Sequence, residues 1–233
     1  MLVPYETGGV HLLRRDGMPQ DLEVCDEVVR DDSYRLASLL PRVREVNQGR
    51  LRILDLGAHI GAFSSLAQVM SPDADIHAYE MHPGNEDLLK QNVGDFATVT
   101  MAAITSWSPG SFIMADALPS GSSGGSFIVN PADLRDVDQY RPTPYEGQVL
   151  SLDDIFARIG HCDIVKMDIE AQEVSVFERL SALDQFTVIV GEMHRASELL
   201  PLLYDLPHHR VELSRVEGDT DFGYFRVWNE GLL

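Results

Sequence analysis

Basic residues are scarce in this chain. Lys and Arg number 18 against 37 Asp and Glu, for a formal net charge of −19. A surface of that sign repels phosphate backbones, and no basic stripe interrupts it, so no nucleic-acid substrate is expected and no anionic membrane surface as partner. Cysteine is scarcer still: Cys25 and Cys162 are the only two, too few for a disulfide framework and without metal-ligand spacing. No apolar run approaches the roughly 20 residues that span a bilayer. The opening Met1-Leu-Val-Pro-Tyr-Glu6 has no basic flank followed by an apolar core, so no signal peptide is expected. These absences leave a soluble protein of a reducing compartment, with the cytoplasm as the expected location. Its 233 residues, 44% of them hydrophobic, suit one α/β domain with modest additions.

No internal repeat is present. Residues 1–50 hold a short apolar patch (Val10 to Leu13), an acidic stretch (Asp21 to Asp32) and a segment of helical spacing, Tyr34 to Val46, broken by Pro41. Too small to bury a core alone, they are expected to cap the main fold of residues 51–233 as part of the same domain. From Leu51 the pattern alternates. Strands are predicted at 51–55, 75–80, 97–103, 163–168 and 186–192, with helices at 60–70, 83–92, 151 onward, 173–180 and 195–206, the last kinked or restarted at Pro201. Ser151 and Asp154 have capping-box spacing. Two final strands, 209–216 and 222–228, flank the polar turn Glu217 to Asp221. The fold class is therefore α/β, Rossmann-like: a seven-stranded, mostly parallel sheet ending in an antiparallel hairpin. Residues 105–148, with Pro119 to Ser126 and Tyr140 to Gly147 rich in turn formers, read as a long irregular loop flanking the active site.

Asp55-Leu-Gly57-Ala58-His59-Ile-Gly61 closes the first strand and opens the first helix. A dinucleotide fingerprint requires a second glycine where His59 stands, so that the backbone can approach a pyrophosphate. Its absence argues for a nucleoside cofactor without one, such as S-adenosylmethionine (SAM). In open α/β sheets the ligand lies beyond the carboxyl ends of the strands. Here those ends read Asp55, Glu80, Ala103, Asp168 and Glu192; four acids suit a ligand carrying a sulfonium and an ammonium. Acids also favour the N-termini of following helices, which accounts for one such residue better than for four. Glu80, ending the second strand, is placed to accept hydrogen bonds from ribose hydroxyls, and Gly57 and Gly61 to supply the turn and a close approach.

Leu54-Asp-Leu-Gly-Ala-His-Ile-Gly61, Ala78-Tyr-Glu80-Met81-His-Pro83-Gly-Asn85, Ser151-Leu-Asp-Asp-Ile155 and Val165-Lys-Met-Asp-Ile-Glu-Ala-Gln-Glu173 together resemble the FkbM family of SAM-dependent methyltransferases, over about residues 51–195. The resemblance implies a class I methyltransferase fold and O-methylation of a small metabolite or natural-product intermediate. His59 stands where the family usually has Asn, and Ala171 where it usually has Gly. The donor contacts expected are Asp55, Gly57, Ala58, His59, Gly61, Glu80, Met81, Ala103 and Asp168.

Methyl transfer to a hydroxyl has to dispose of a proton, since a phenol ionises near pH 10 and an alcohol higher. His194, just past the fifth strand, is the first candidate base, with Glu170 and Glu173 as alternatives. Lys166, inside a central strand, needs a carboxylate partner, for which Glu192 on the neighbouring strand is expected, and organises the site. A metal route would draw on Asp168, Glu192 and His194 around Mg²⁺. With no Asp-Asp pair after the fifth strand, no metal is assigned. His77, His82, His161, His208 and His209 show no ligand spacing. Two other readings stand beside the methyltransferase: an NAD-dependent oxidoreductase, disfavoured by His59 and the lack of a Tyr-x-x-x-Lys set, and a non-catalytic SAM-binding protein. The expected partner is a small-molecule acceptor, free or attached to a carrier, entering between the cap, Ser120–Ser126 and the ends of the fourth and fifth strands. Apolar residues of the cap leave a homodimer open.

Overall fold

The computed structural model describes residues 1–106, 112–117, 126–129, 140–214 and 222–232. The chain opens with a hairpin, β1 (Leu2–Thr7) paired antiparallel with β2 (Val10–Arg15). Gly8 and Gly9, at φ 58° and 85°, supply the two positive dihedrals of a two-residue turn that follows strand twist. The sequence reading recognises only the apolar patch of β2, because β1, with Pro4 inside it, carries a single buried residue, Tyr5. α1 (Pro19–Cys25) begins on proline and continues into a π-helical turn over Asp26–Arg30. α2 (Leu36–Val46) runs through Pro41 without the expected break. Its start is tied by Asp32, whose carboxylate accepts from the amides of Leu36 and Ala37 at 2.6 and 3.0 Å. Its buried face of Leu36, Leu39, Leu40 and Val43 outweighs the hydrogen bond that proline removes.

The alternating part follows: β3 (Arg52–Leu56), α3 (Ala62–Met70), β4 (Asp75–Glu80), α4 (Glu86–Val93) after a 3₁₀ turn at Pro83–Asn85, and β5 (Ala97–Ile104). Next come β6 (Phe112–Ala117), β7 (Phe127–Val129), β8 (Tyr140–Tyr145), β9 (Gln148–Leu150), α5 (Leu152–Ile159), β10 (Cys162–Met167) and α6 (Glu173–Arg179). β11 (Phe186–Met193), α7 (Ala196–Tyr204), β12 (His209–Ser214) and β13 (Gly223–Asn229) complete it. The main sheet has the order β12-β13-β11-β10-β3-β4-β5-β9. Its neighbours are parallel except where β13 meets β11 and β12. The α/β architecture is as expected, with eight strands in place of seven. The extra one, β9, is three residues long, too short to show alternation, and it pairs with the outer edge of β5. α7 runs through Pro201, and the capping box of Ser151 and Asp154 is present.

Side-chain alternation splits the core into two layers. Ile53, Ile76, Ile164, Val188 and Val190 face α3 and the N-terminal segment. Leu54, Leu56, Val165, Met167 and Ile189 face α5, α6 and α7. Tyr5, Val10, Leu12, Val28, Tyr34, Leu36 and Leu39 belong to the first layer, so residues 1–50 bury their apolar side chains against the sheet itself.

The stretch read as an irregular loop contains strands. β6, β7 and β8 form a separate antiparallel sheet in the order β7-β6-β8. Phe112 and Ile128 pack with Ala103, against Met81, Tyr145 and Val149. The prolines that argued against regular structure, Pro142 and Pro144, sit on the edge strand β8, where a missing N–H need not face a partner. Of the expected Ser120–Ser126 loop only Ser126 is among the described residues; its hydroxyl donates to Asp116 at 2.7 Å. The turn at 217–221 also lies outside them.

Candidate active site

The carboxyl ends of β3, β4, β5 and β10 border a cleft open to solvent. Gly57, Ala58, His59, Glu80, Met81, Lys166, Asp168 and Glu170 line it. Of the other expected residues, Asp55 and Gly61 lie behind this wall, Glu173 and His194 stand beside it, and Ala103 points away. On β5 it is Ala102 and Ile104 that face the cleft, since neighbours on a strand alternate sides. The cap contributes Val24 and Val28, and the loop before α6 contributes Gln172; none of these was expected.

The glycine turn is shaped by protein contacts. Gly57 has φ 77°, and a Cβ there would lie 1.7 Å from the carbonyl oxygen of Asp168. Gly61 has φ 94°, and a Cβ would lie 2.5 Å from Val93 Cγ1. The close approach that requires glycine is therefore β3 to the end of β10, and the turn to α4. The amides of Gly57 and Ala58 donate to the carbonyl of Tyr79 at 3.0 and 2.9 Å. That of His59, at φ 50°, donates to Glu80 Oε2 at 2.8 Å. Glu80 Oε1 accepts from the His82 amide at 2.7 Å and Asn85 Nδ2 at 3.3 Å. Oε2, with one donor, keeps acceptor capacity for a ligand, whereas Oε1 already has two. Burial pushes the Glu80 carboxyl up to about 7, with these hydrogen bonds opposing it.

His59 is fastened from the cap. Its Nε2 lies 3.4 Å from Arg15 Nη2 and 3.6 Å from Asp21 Oδ1. Asp21, wholly buried, accepts from Arg15 N, Nε and Nη2 at 2.7, 2.9 and 2.6 Å. Burial lowers the His59 ring to about 4, so it is neutral near pH 7.

Lys166 ties the ends of β3 and β10 together. Its Nζ donates to the carbonyls of Gly57 and Leu56 at 2.6 and 3.3 Å and pairs with Asp55 at 3.5 Å and Asp168 at 3.4 Å. The expected partner, Glu192, is replaced by these two, and the register gives the reason: Lys166 stands opposite Asp55 on β3 and Val190 on β11. Burial works against the Lys166 charge, but Asp168 and Asp55 outweigh it and raise its pKa. Asp55 itself accepts from Ser64 Oγ at 2.7 Å. Asp168 also accepts from the hydroxyl of Tyr34, a cap residue, at 3.0 Å. The Tyr34 ring is held edge-on between Phe63 and Tyr224, 5.7 Å from each. No local signal marks Tyr34, which is 134 residues from its partner.

Beyond Asp168 the chain takes two left-handed residues, Glu170 at φ 53° and Ala171 at φ 67°, which glycine would tolerate better than alanine. They turn Glu170 toward His194. Buried Glu173 accepts from the Ile169 amide at 3.1 Å and lies 3.2 Å from His194 Nδ1. His194 Nε2 faces Glu170 at 3.4 Å and Glu192 at 3.9 Å. Burial opposes the imidazolium, but the hydrogen bond to Glu173 and the charges of Glu173 and Glu170 outweigh it and push His194 up to about 10. Burial, then the charge of Asp168, pushes Glu170 up to about 8 and Glu192 up to about 9. The cluster is crowded with carboxyl groups.

Comparison with known proteins gives the family of the chain. The family described as the methyltransferase FkbM domain matches residues 55–224. A Klebsiella pneumoniae protein assigned as an O-methyltransferase aligns at 12% identity and TM-score 0.50, over 85% of this chain and 80% of its own. The precorrin-6y C5,15-methyltransferase of Geobacter metallireducens aligns at 16% identity and TM-score 0.39, over 81% and 85%. The N-terminal domain of human METTL16, in complex with SAH, aligns at 12% and 0.45, over 94% and 85%. At such identities the likeness to solved structures is one of fold. No curated protein matches the chain.

Proposed function

The chain belongs to the FkbM family of SAM-dependent methyltransferases, and we propose that it transfers the methyl group to a hydroxyl of a small molecule, free or attached to a carrier. One observation carries the reading: the cleft wall combines the glycine turn and Glu80 with Asp168, and the His194 cluster adjoins Asp168. In this reading the ribose hydroxyls of SAM donate to Glu80, and Asp168 faces the cationic end of the donor. Gly57, Ala58 and Met81 border the nucleoside, while Asp55 and Gly61 keep the turn in shape from behind and Lys166 does so from the cleft wall.

The reaction is an in-line displacement. The acceptor oxygen attacks the methyl carbon, the carbon–sulfur bond breaks, and its electron pair stays on sulfur, leaving S-adenosylhomocysteine (SAH). His194, pushed up to about 10, already holds its proton, so the hydroxyl proton passes to the ionised form of Glu170, whose carboxyl is raised to about 8. Buried Glu173, which also accepts from the Ile169 amide, orients the imidazole and leaves Nε2 toward the acceptor. Holding donor and acceptor at near-attack distance supplies much of the rate. The surplus of acids over bases in the chain supports a small acceptor over a phosphate backbone.

Incubation of the protein with methyl-tritiated SAM and a panel of polyhydroxylated compounds, amines and bulk RNA tests this. Label is expected in a hydroxylated compound, with SAM and not NAD binding in calorimetry. Label confined to RNA or to amines would overturn the proposal.

A further inference from the structure

Asp168, just past β10, and Glu192 and His194, at the end of β11 and beyond it, bring one carboxylate or imidazole atom each to within 4.8 Å of one another. In an octahedral shell with bonds of about 2.1 Å, ligands lie roughly 3 to 4.2 Å apart, so small side-chain rotations would close the three onto one ion. Asp168 Oδ2 is taken by Tyr34 and Lys166, which leaves its other oxygen. The imidazole is already arranged as a ligand. Glu173, outside the set, holds Nδ1 and leaves Nε2 facing Glu170 and Glu192, as a carboxylate behind a metal-bound histidine does.

The second observation concerns Glu192 itself. Its side chain is only 14% exposed, yet it accepts no hydrogen bond from any described residue, and its nearest cationic atom is His194 Nε2 at 3.9 Å. A carboxylate so placed is costly unless paired or coordinated. Around it, among the described residues, the acids Asp55, Asp168, Glu170 and Glu173 share only Lys166 and His194 as cationic partners. We infer that Asp168, Glu192 and His194 form a site for a divalent transition-metal ion. One nitrogen and two carboxylate oxygens suit Mn²⁺ or Fe²⁺ better than Mg²⁺. The want of an Asp-Asp pair after the fifth strand does not exclude a metal here, because the third donor comes from β10. The inference deepens the proposed reaction: an ion beside Asp168 would acidify the acceptor hydroxyl, making His194 a ligand and leaving Glu170 to take the proton.

Titrating the chelator-treated full chain with Mn²⁺ alone, followed by electron paramagnetic resonance, tests the site without donor or acceptor. Its failure therefore leaves the methyltransferase reading untouched. One saturable equivalent is expected, weakened about tenfold or more in both Glu192→Gln and His194→Gln and unchanged in Asp73→Asn, a control at an exposed carboxylate. Co²⁺ in the same site should give visible absorption bands that change in His194→Gln. Circular dichroism checks that each variant is folded, and Glu192→Asp, which keeps the charge, serves if Glu192→Gln is not. Only weak, unsaturable binding, or a saturable equivalent indifferent to the variants of both residues, would overturn the assignment.

Discussion

Glu80 offers the sharpest test of the donor site, because its burial makes the affinity for SAH depend on pH. Its carboxyl is raised from the ordinary glutamate value to about 7. In the proposed donor site the ionised form is the one that accepts from a ribose hydroxyl while still holding the amides of His59 and His82. With a pKa of about 7, roughly one molecule in eleven is ionised near pH 6 and about nine in ten near pH 8. If the ionised form alone binds, the apparent Kd is divided by that fraction. SAH should then bind about tenfold more weakly at the lower pH, or about 1.4 kcal/mol. Stability of the free protein moves the other way. A carboxyl raised above its unfolded value contributes stability that is fully present below that value and is lost as pH rises through about 7. The rise in melting temperature on adding SAH should therefore grow from pH 6 to pH 8. Isothermal titration across that range, repeated with Glu80→Gln, is the assay, and the variant should bind weakly with a flat profile. A flat profile in the wild type, or the same slope in the variant, would refute the reasoning.

Two further expectations concern the walls of the cleft. Lys166→Met should cost about 3–5 kcal/mol in urea denaturation, because it leaves Asp55, wholly buried, and Asp168 without their shared cation; a loss under 1 kcal/mol would show that neither carboxylate depends on it. Gly57→Ala should destabilise by more than about 2 kcal/mol, since left-handed backbone alone costs 1–2 and the added Cβ meets a backbone oxygen at 1.7 Å. Gly61→Ala, whose Cβ meets the side chain of Val93 at 2.5 Å, should cost less in the same melts, and the reverse order would contradict the packing described.

The acceptor side is where the sequence was least legible. Lys166 and Asp168 are recognisable as a strand-face pair, but the partner assigned to the lysine was on the wrong neighbouring strand. Which strands flank β10, and in what register, is a property of the whole sheet. The mini-sheet of β6, β7 and β8 was hidden by Pro142 and Pro144, whose cost depends on whether the strand is central or at an edge.

What the sequence by itself determined is the half of the cleft around the glycine turn. Asp55, Gly57, His59, Gly61 and Glu80 lie within one βαβ unit, so alternation, turn chemistry and the direction of the crossover place them by local rules. Tertiary structure alone decided what surrounds that half: Tyr34 on Asp168, Arg15 and Asp21 behind His59, and Glu173 behind His194. Those contacts join elements far apart in the chain, and burial of apolar side chains on both faces of the sheet brings them together. No short-range pattern encodes them.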